Sequence, residues 1–314
     1  MAPYRVAVYG AGGVGGYLGA RFAQAGAEVS LVARGGHLAA LQERGLELRS
    51  IRGDAQVRVR ATDDPAEVGP VDLVLLCVKS YDTRETAARL GPLLADGGAV
   101  LSLQNGVDNE DVLAETVGAD RVLGGVAFIF STIAGPGVVA HTGGPGSIVF
   151  GELDGARSER CERLLALCQA ADVPAELVGD VRVRLWDKLA FICAHAGTTA
   201  TTRLPIGVVR ETPATWALFR GLVAEVASVA EAEGAPLPPD PVGRLSAFAQ
   251  GMEAGNRSSL LHDLEQGKRL EVDALHGAVV RRAVAHGIPV PLCEAVYAIL
   301  VPWLHGPPDA QLPG

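Results

Sequence analysis

Apolar, β-rich runs alternate with helical periodicities through the first part of the chain, up to about residue 150. Val6–Tyr9 reads as a first strand, Tyr17–Ala25 as the helix behind it and Val29–Ala33 as a second strand. Leu73–Val78 is an uninterrupted apolar run, the pattern of a strand buried on both faces. Ala99–Leu103 repeats it and stops at Gln104-Asn105-Gly106; Val122–Phe130 and Ser147–Phe150 finish the predicted sheet, and a helix follows near Ser158–Ala171. This order predicts a doubly wound α/β domain with ligands beyond the carboxyl ends of its strands. From about Val181 strands vanish and helical periodicities take over. Trp216–Glu233 is apolar nearly all round (Leu218, Phe219, Leu222, Val223, Val226, Val229), which predicts a central buried helix. Ala235–Pro241 reads as a loop, Leu270–His286 and Pro291–Leu304 as two further helices, and the tail from Gly306 as frayed. The expected division is 1–179, α/β, and 180–314, all-helical, with a cleft between domains as the default site.

Composition narrows the function classes. The 314 residues suit two domains, and 48% apolar content is enough for real cores. The net charge of −9, from 27 basic and 36 acidic residues without any like-charge block, argues against nucleic acid or an anionic membrane as partner. No apolar run reaches the length of a membrane span. The chain enters a strand almost at once, so no signal peptide is expected. Cys77, Cys161, Cys168, Cys193 and Cys293 are scattered and odd in number, which reads as buried free thiols in a reducing cytoplasm. The seven histidines show no metal-ligand spacing.

The sharpest motif is Gly10-Ala11-Gly12-Gly13-Val14-Gly15, which joins the first strand to its helix. In that context Gly10 makes the tight turn, Gly12 lets backbone approach a pyrophosphate, and Gly15 lets helix and strand pack closely. The residues 10–15 are therefore the expected dinucleotide cradle of a Rossmann-like domain, with the pyrophosphate on the helix N-terminus. Strand two ends in Arg34-Gly35-Gly36-His37 and has no acid there to hold a ribose 2′-hydroxyl; Glu28 lies at its other end. Arg34 suits a 2′-phosphate, so the expected cofactor is NADP (NADPH).

In the helical half, Ile192, His195, Ala196 and Thr199 follow Lys188 near its face of one helix. Such neighbours would partly desolvate the lysine and move its pKa toward the range of proton transfer. Spacing alone equally allows a lysine that packs its stem and wets its tip. Farther on, Ser259 could be a helix cap, and Glu271 and Asp273 could simply favour a helix start, with Gly267 as a break between them.

Taken in order, Gly-Ala-Gly-Gly-Val-Gly, Val78-Lys79, Gln104-Asn105-Gly106, Trp186-x-Lys188 and Ser258-Ser259…Glu271-Val272-Asp273 resemble the ketopantoate reductase (2-dehydropantoate 2-reductase) family, from Val6 to about Leu300. The resemblance implies NADPH-dependent reduction of a 2-oxo acid. It implies that Lys188 donates a proton to the nascent alkoxide and that Glu271 orients the substrate hydroxyl and the lysine. It places Ser259 on the substrate, Asn105 near nicotinamide and substrate, and Lys79 near both ligands. The family also resembles Lys-x-x-x-Asn-x-x-x-Asn on the catalytic helix, whereas this chain has Ile192 and Ala196 at those positions. Two polar substrate anchors are therefore absent, with Thr198, Thr199 or His195 as the nearby polar groups.

Three readings follow. The first is reduction of a 2-oxo acid, with ketopantoate to pantoate foremost and a less polar 2-oxo acid as its variant. The second is an imine or opine-type dehydrogenase, which shares the two-domain plan but usually lacks the Lys/Glu pair. The third is a non-catalytic NADP-binding regulator, which would need no proton donor. Trp216 and the apolar helices would serve a homodimer as well as a core.

Overall fold

The structure, a computed structural model, describes residues 3–308. These form two compact units: residues 3–104 with 109–181, and residues 105–108 with 182–308.

The first unit runs β1 (Arg5–Tyr9), α1 (Gly13–Gln24), β2 (Glu28–Val32), α2 (Gly35–Arg44), β3 (Leu46–Ser50), β4 (Ala55–Val57), β5 (Arg60–Thr62), β6 (Val71–Leu76), α3 (Thr83–Ala87), β7 (Leu94–Ser102), α4 (Asn109–Val117), β8 (Val122–Gly135), β9 (Val138–Glu152), α5 (Glu159–Ala170) and β10 (Ala175–Leu177). One sheet takes the order β4-β3-β9-β8-β7-β6-β1-β2-β5, with β10 on β9. Every pairing from β8 through to β5 is parallel; β8–β9 and β3–β4 are antiparallel. Strand order reverses beside β1, which is where an open α/β sheet leaves a crevice.

The apolar run of β6 is explained by its position. Leu73 and Leu75 face one core, while Val74 and Leu76 face the other, all at most 1% exposed. From Leu73 on, residues on both faces are buried, so no polar position survives there; Asp72, at the strand's start, is half-buried and paired with Arg5. The hairpin β8–β9 is longer than its apolar segments predict. Its Thr- and Gly-containing ends, around the turn Pro136-Gly137, are held by backbone pairing, and β3 pairs with β9 in parallel. Backbone bonds need no apolar pattern, which is why the three-residue strands β4, β5 and β10 leave so weak a sequence signal.

Among the described residues the second unit is helical: α6 (Val181–Thr202), α7 (Ile206–Glu211), α8 (Pro213–Ala232), α9 (Pro241–Gly251), α10 (Ser259–Glu265), α11 (Ala278–His286) and α12 (Pro291–Leu300). α6 stays helical through Gly197-Thr198-Thr199-Ala200-Thr201-Thr202, a run with poor helix propensity. Each of the four threonine hydroxyls donates to the carbonyl four residues back, at 2.6–2.7 Å. α8 buries one face (Phe219, Leu222, Val223, Val226, Val229), while Arg220, Ala224 and Ser228 are exposed, so it is amphipathic rather than surrounded. Its Glu225 accepts from the Leu292 and Cys293 N–H groups at 2.9 and 2.8 Å and so caps α12.

Leu270–His286 is not one α-helix. Asp273–Gly277 is a π-helical turn, closed by Gly277 N–H to Val272 O at 3.0 Å, and α11 starts only at Ala278. The swelling seats His276, which is fully buried and donates Nε2–H to Cys193 O of α6 at 2.9 Å. A Cβ on Gly197 would lie 2.7 Å from that Nε2, so the glycine makes room for the ring. The expected fraying from Gly306 also needs correction. Gly306 is buried, donates to Trp303 O at 3.0 Å, and Pro307 packs near Gly267; the remainder of the tail lies outside the described residues.

Burial holds the imidazoles of His276 and His195 down at about 4. In the unfolded chain both titrate near about 6.5. Between these values the unfolded chain binds protons that the folded chain refuses, so stability falls as pH drops from 6.5 toward 4. Melting temperature should decline steadily across that window, and His195→Phe should flatten the decline. A melting temperature unchanged between pH 7 and 4.5 would contradict it.

Candidate active site

In the first unit a groove of about 280 Å³ opens at the carboxyl ends of β1, β2 and β6. It is lined by Gly10 and Gly12, Arg34 and His37, and Val78 and Lys79, among others. The turn that makes it is backbone-built. Gly10 has φ +97°, and the N–H groups of Gly10 and Ala11 both donate to Val32 O at 3.2 Å.

The glycines of this turn divide by what surrounds them. A Cβ on Gly10 would lie 2.8 Å from the Cys77–Val78 backbone. One on Gly15 would lie 2.3 Å from Gly10 O and 2.7 Å from Val8. One on Gly13 would lie 2.0 Å from Ser131 O. These three positions are glycine because protein atoms leave no room. Gly12 differs: nothing lies within 4 Å of its Cβ position, and its φ of −76° is open to any residue. Its missing side chain leaves free volume at the N-terminus of α1. α1 begins with no side-chain cap and no acid in its first turn, so its dipole and first N–H groups are left for an anion. Val14, in that first turn, is half-buried against the core. The cradle thus fits the pyrophosphate of a dinucleotide.

Arg34 follows β2, is exposed, and is the N-cap residue of α2, whose first turn likewise has no side-chain cap. Gly35 and Gly36 beside it face open space. The arrangement fits a phosphate on the ribose, since a forked cation and uncapped N–H groups converge there. His37 fixes this corner. Its Nε2–H donates to Ala11 O at 2.9 Å and its Nδ1 accepts from Gly137 N–H at 3.0 Å. Burial holds its pKa below the ordinary value, keeping the neutral ring that this double role requires. Lys79 lines the groove on the loop after β6. Gln104, buried at the end of β7, donates to Val78 O at 3.0 Å and to Thr83 Oγ1 at 2.7 Å, so it pins the loop that carries Lys79. Motif spacing assigns no role to His37 or Gln104; both act through backbone carbonyls that only the folded chain brings within reach.

In the second unit Lys188 and Ile192 are half-buried on α6, and Ala196 is 2% exposed. At about 100° per residue, His195 and Thr199 lie within about 20° of the Lys188 direction. Asp187, next to Lys188, makes a two-bond ion pair with Arg244 of α9. Thr199 is fully buried. Its hydroxyl donates to His195 O at 2.7 Å and is 2.8 Å from Ser258 Oγ. Ser258, not Ser259, is the cap of α10, accepting from Leu261 N–H at 3.1 Å. Ser259 is exposed in the first turn of α10. Glu271 is 7% exposed just before the π turn, so it starts no α-helix, and Asp273 begins that turn. Asn105 is half-buried and groups with this unit, not with the sheet. Among the described residues no cluster could hold a metal ion, and no helix is long and apolar enough to cross a membrane.

The profile of ketopantoate reductase PanE/ApbA matches residues 6–155, and that of its C-terminal part matches 180–302. The chain belongs to the PanE/ApbA ketopantoate reductase family. It is 37% identical to a 2-dehydropantoate 2-reductase of Halobacterium salinarum, over 93% of this chain and 96% of that protein. It is 36% identical to a protein of the same name from Archaeoglobus fulgidus, over 92% and 94%. Among solved structures, a PanE/ApbA family ketopantoate reductase from Ralstonia eutropha matches with TM-score 0.88 at 40% identity, over 95% and 98% of the two chains. A D-mandelate dehydrogenase shares the fold, with TM-score 0.87 at 21% identity. As a family member the chain is an NADP-dependent oxidoreductase acting on a 2-oxo acid.

The free volume at Gly12 generates a contrast. Gly12→Val should fold with a melting temperature near that of the unaltered protein yet weaken NADPH binding by more than about 100-fold, about 2.7 kcal/mol. Gly15→Val should fail to fold stably, because its side chain meets backbone. Normal NADPH affinity in folded Gly12→Val would remove the cradle.

Arg34→Ala should raise the KM for NADPH about 10–100-fold, the usual worth of charged hydrogen bonds, and leave the KM for NADH nearly unchanged. Equal losses for both cofactors would refute a 2′-phosphate contact.

Proposed function

We propose that this chain reduces 2-dehydropantoate to pantoate with NADPH, residues 1–179 binding the cofactor and residues 180–314 carrying the catalytic groups. The observation that carries the reading is that one chain holds both a vacant-sided Gly12 at an uncapped α1, in the first unit, and a half-buried lysine on α6, in the second. NADPH, when bound, supplies the hydride. The substrate carbonyl oxygen then becomes an alkoxide, and the Lys188 ammonium transfers a proton to it; the products are the 2-hydroxy acid and NADP⁺. Glu271 orients Lys188 and the substrate hydroxyl. Ser259 and Asn105 hold the substrate, and Lys79 stands near the cofactor.

A second reading is favoured by the wall beside Lys188. Ile192 and Ala196 offer no hydrogen bond there, and the Thr199 hydroxyl is committed to His195 O and Ser258. On the flank, Phe191 stacks on His195, with centroids 5.5 Å apart, and meets Phe248 edge-on at 4.9 Å. A substrate hydroxyl left unpaired against such a wall costs about 1–3 kcal/mol. Apolar side chains instead gain roughly 25 cal/mol per Å² buried. A branched or aryl 2-oxo acid is the substrate class this wall suits.

A panel of 2-oxo acids, followed by NADPH absorbance with and without amines, separates these readings. Reduction that requires an amine would point to an imine-forming enzyme, and no turnover with any acid would point to a regulator. On the second reading, 3-methyl-2-oxobutanoate and phenylglyoxylate should come within about tenfold of ketopantoate in kcat/KM, and Ile192→Asn should shift preference back to ketopantoate. A hundredfold preference for ketopantoate in the unaltered protein, about 2.7 kcal/mol, would reject it. Under either reading Lys188→Ala should lower kcat about 10²–10⁴-fold while NADPH still binds. Retention of most of the kcat, with chemistry rate-limiting, would remove its role.

A further inference from the structure

Two adjacent arginines on α11 reach three segments that the proposed reaction uses. Arg282 donates through Nε and Nη2 to Asp108 Oδ1 at 3.0 and 2.7 Å, and Nη2 lies 3.5 Å from Val107 O. Its Nη1 pairs with Glu233 at the end of α8, and its guanidinium lies over the Trp186 ring at 5.9 Å. Arg281 donates to Asp108 Oδ2 at 3.1 Å, to Asp273 Oδ1 at 2.9 Å and to Asp273 O at 3.1 Å.

The identities of these partners give the pair its meaning. Asp108 is three residues after Asn105, in the short segment 105–108 that groups with the helices. Trp186 is two residues before Lys188 and only 4% exposed. Asp273 is two residues after Glu271. Gly106, between Asn105 and Asp108, has φ +107°, a conformation that the backbone alone holds weakly against alternatives. An anchor at Asp108 therefore restrains the segment that carries Asn105. Arg282 itself is mostly enclosed, with its side chain 22% exposed, and both arms of its fork are engaged in different directions. Lysine carries the charge but has one head and cannot bridge Asp108 and Glu233 with this geometry.

We propose that Arg282 is a positioning residue for the reduction. It holds the Asn105 segment in register with the Lys188 helix, and Arg281 joins the Glu271 segment to the same carboxylate. This rests on the reading that Lys188, Glu271 and Asn105 surround the substrate. Misplacing a substrate-orienting group by about 1 Å can cost about 100-fold in rate, whereas cofactor binding in the groove of the first unit has no need of Arg282.

The test compares Arg282→Met, Arg282→Lys, Asp108→Asn and Glu233→Gln with the unaltered protein. Each is assayed with the best 2-oxo acid of the panel, for NADPH dissociation constant by fluorescence, and for melting temperature. Arg282→Met and Asp108→Asn should each lower kcat/KM for the 2-oxo acid about 10–100-fold. Their double variant should be no worse than Asp108→Asn alone, because Arg282→Met breaks a link that Asp108→Asn has already weakened. NADPH affinity should stay within twofold. Glu233→Gln, which loosens the other arm, should lower the melting temperature with kcat/KM kept within twofold, and Arg282→Lys should restore only part of the loss. If Arg282→Met does not fold, Asp108→Asn and Arg282→Lys carry the comparison. The proposal is overturned if Asp108→Asn keeps full kcat/KM, or if Glu233→Gln costs as much as Asp108→Asn, since the cluster would then be stabilising only. Inactivity of the unaltered protein toward every 2-oxo acid would remove the underlying reading and this inference with it.

Discussion

The close approach of α1 to β1 is the constraint on which the cofactor half depends. Gly15 lies against Val8 and the carbonyl of Gly10 with no space for even a methyl group, and Gly10 turns the chain over the Cys77–Val78 backbone. Interiors are packed to crystal density, so such a contact cannot yield by a little. Because helix and strand meet there, the first turn of α1 is aimed across the carboxyl ends of β1, β2 and β6. Gly12 then stands at the only one of these four glycine positions, Gly10, Gly12, Gly13 and Gly15, where the missing side chain leaves space rather than contact. One stretch of chain is closely packed at three positions and open at a fourth.

The helical unit solves a different problem: holding one long helix in a fixed rotation so that a half-buried lysine keeps its direction. Polar contacts to α6 do this along its length. Asp187 is paired with Arg244, the Cys193 carbonyl accepts from His276, and Thr199 meets Ser258. Apolar packing alone allows small rotations and slides, whereas directional bonds at several heights do not. The π turn is part of this design. It places His276 against α6 at Gly197 and leaves Glu271 buried at its start. Asp187 and Thr199 have partners for their side chains, and His276 is bonded through Nε2 while its Nδ1 has none, so their weight is that of buried polar groups rather than of isolated charges.

Substrate choice is a separate matter from reaction type. The hydride donor and the proton donor act on the carbonyl common to all 2-oxo acids. Discrimination between acids rests on what faces the rest of the substrate. On the proposed reading, Ile192 in place of an amide changes that balance by the cost of one missed hydrogen bond against the gain from apolar burial. Both are of the order of a few kcal/mol, so a single position can redirect preference without touching the chemistry.

Much of this protein was legible in its residue order. The strand–turn–helix with Gly10, Gly12 and Gly15, the apolar β6, the absence of an acid after β2 and the loss of strands beyond Val181 are local patterns, and local patterns survive without tertiary context because backbone geometry and burial on both faces leave direct marks on composition. The three-residue edge strands β4, β5 and β10 left almost none, since backbone pairing at a sheet edge makes few demands on side chains. The sequence also could not say which of Ser258 and Ser259 caps α10, that Leu270–His286 opens with a π turn, or that α8 exposes a polar face. Nor could it single out His37, Gln104 or Arg282, whose partners Gly137, Val78 and Asp108 are distant in the chain. Such roles belong to contacts between residues far apart in sequence, and their geometry exists only once the backbone has closed those loops.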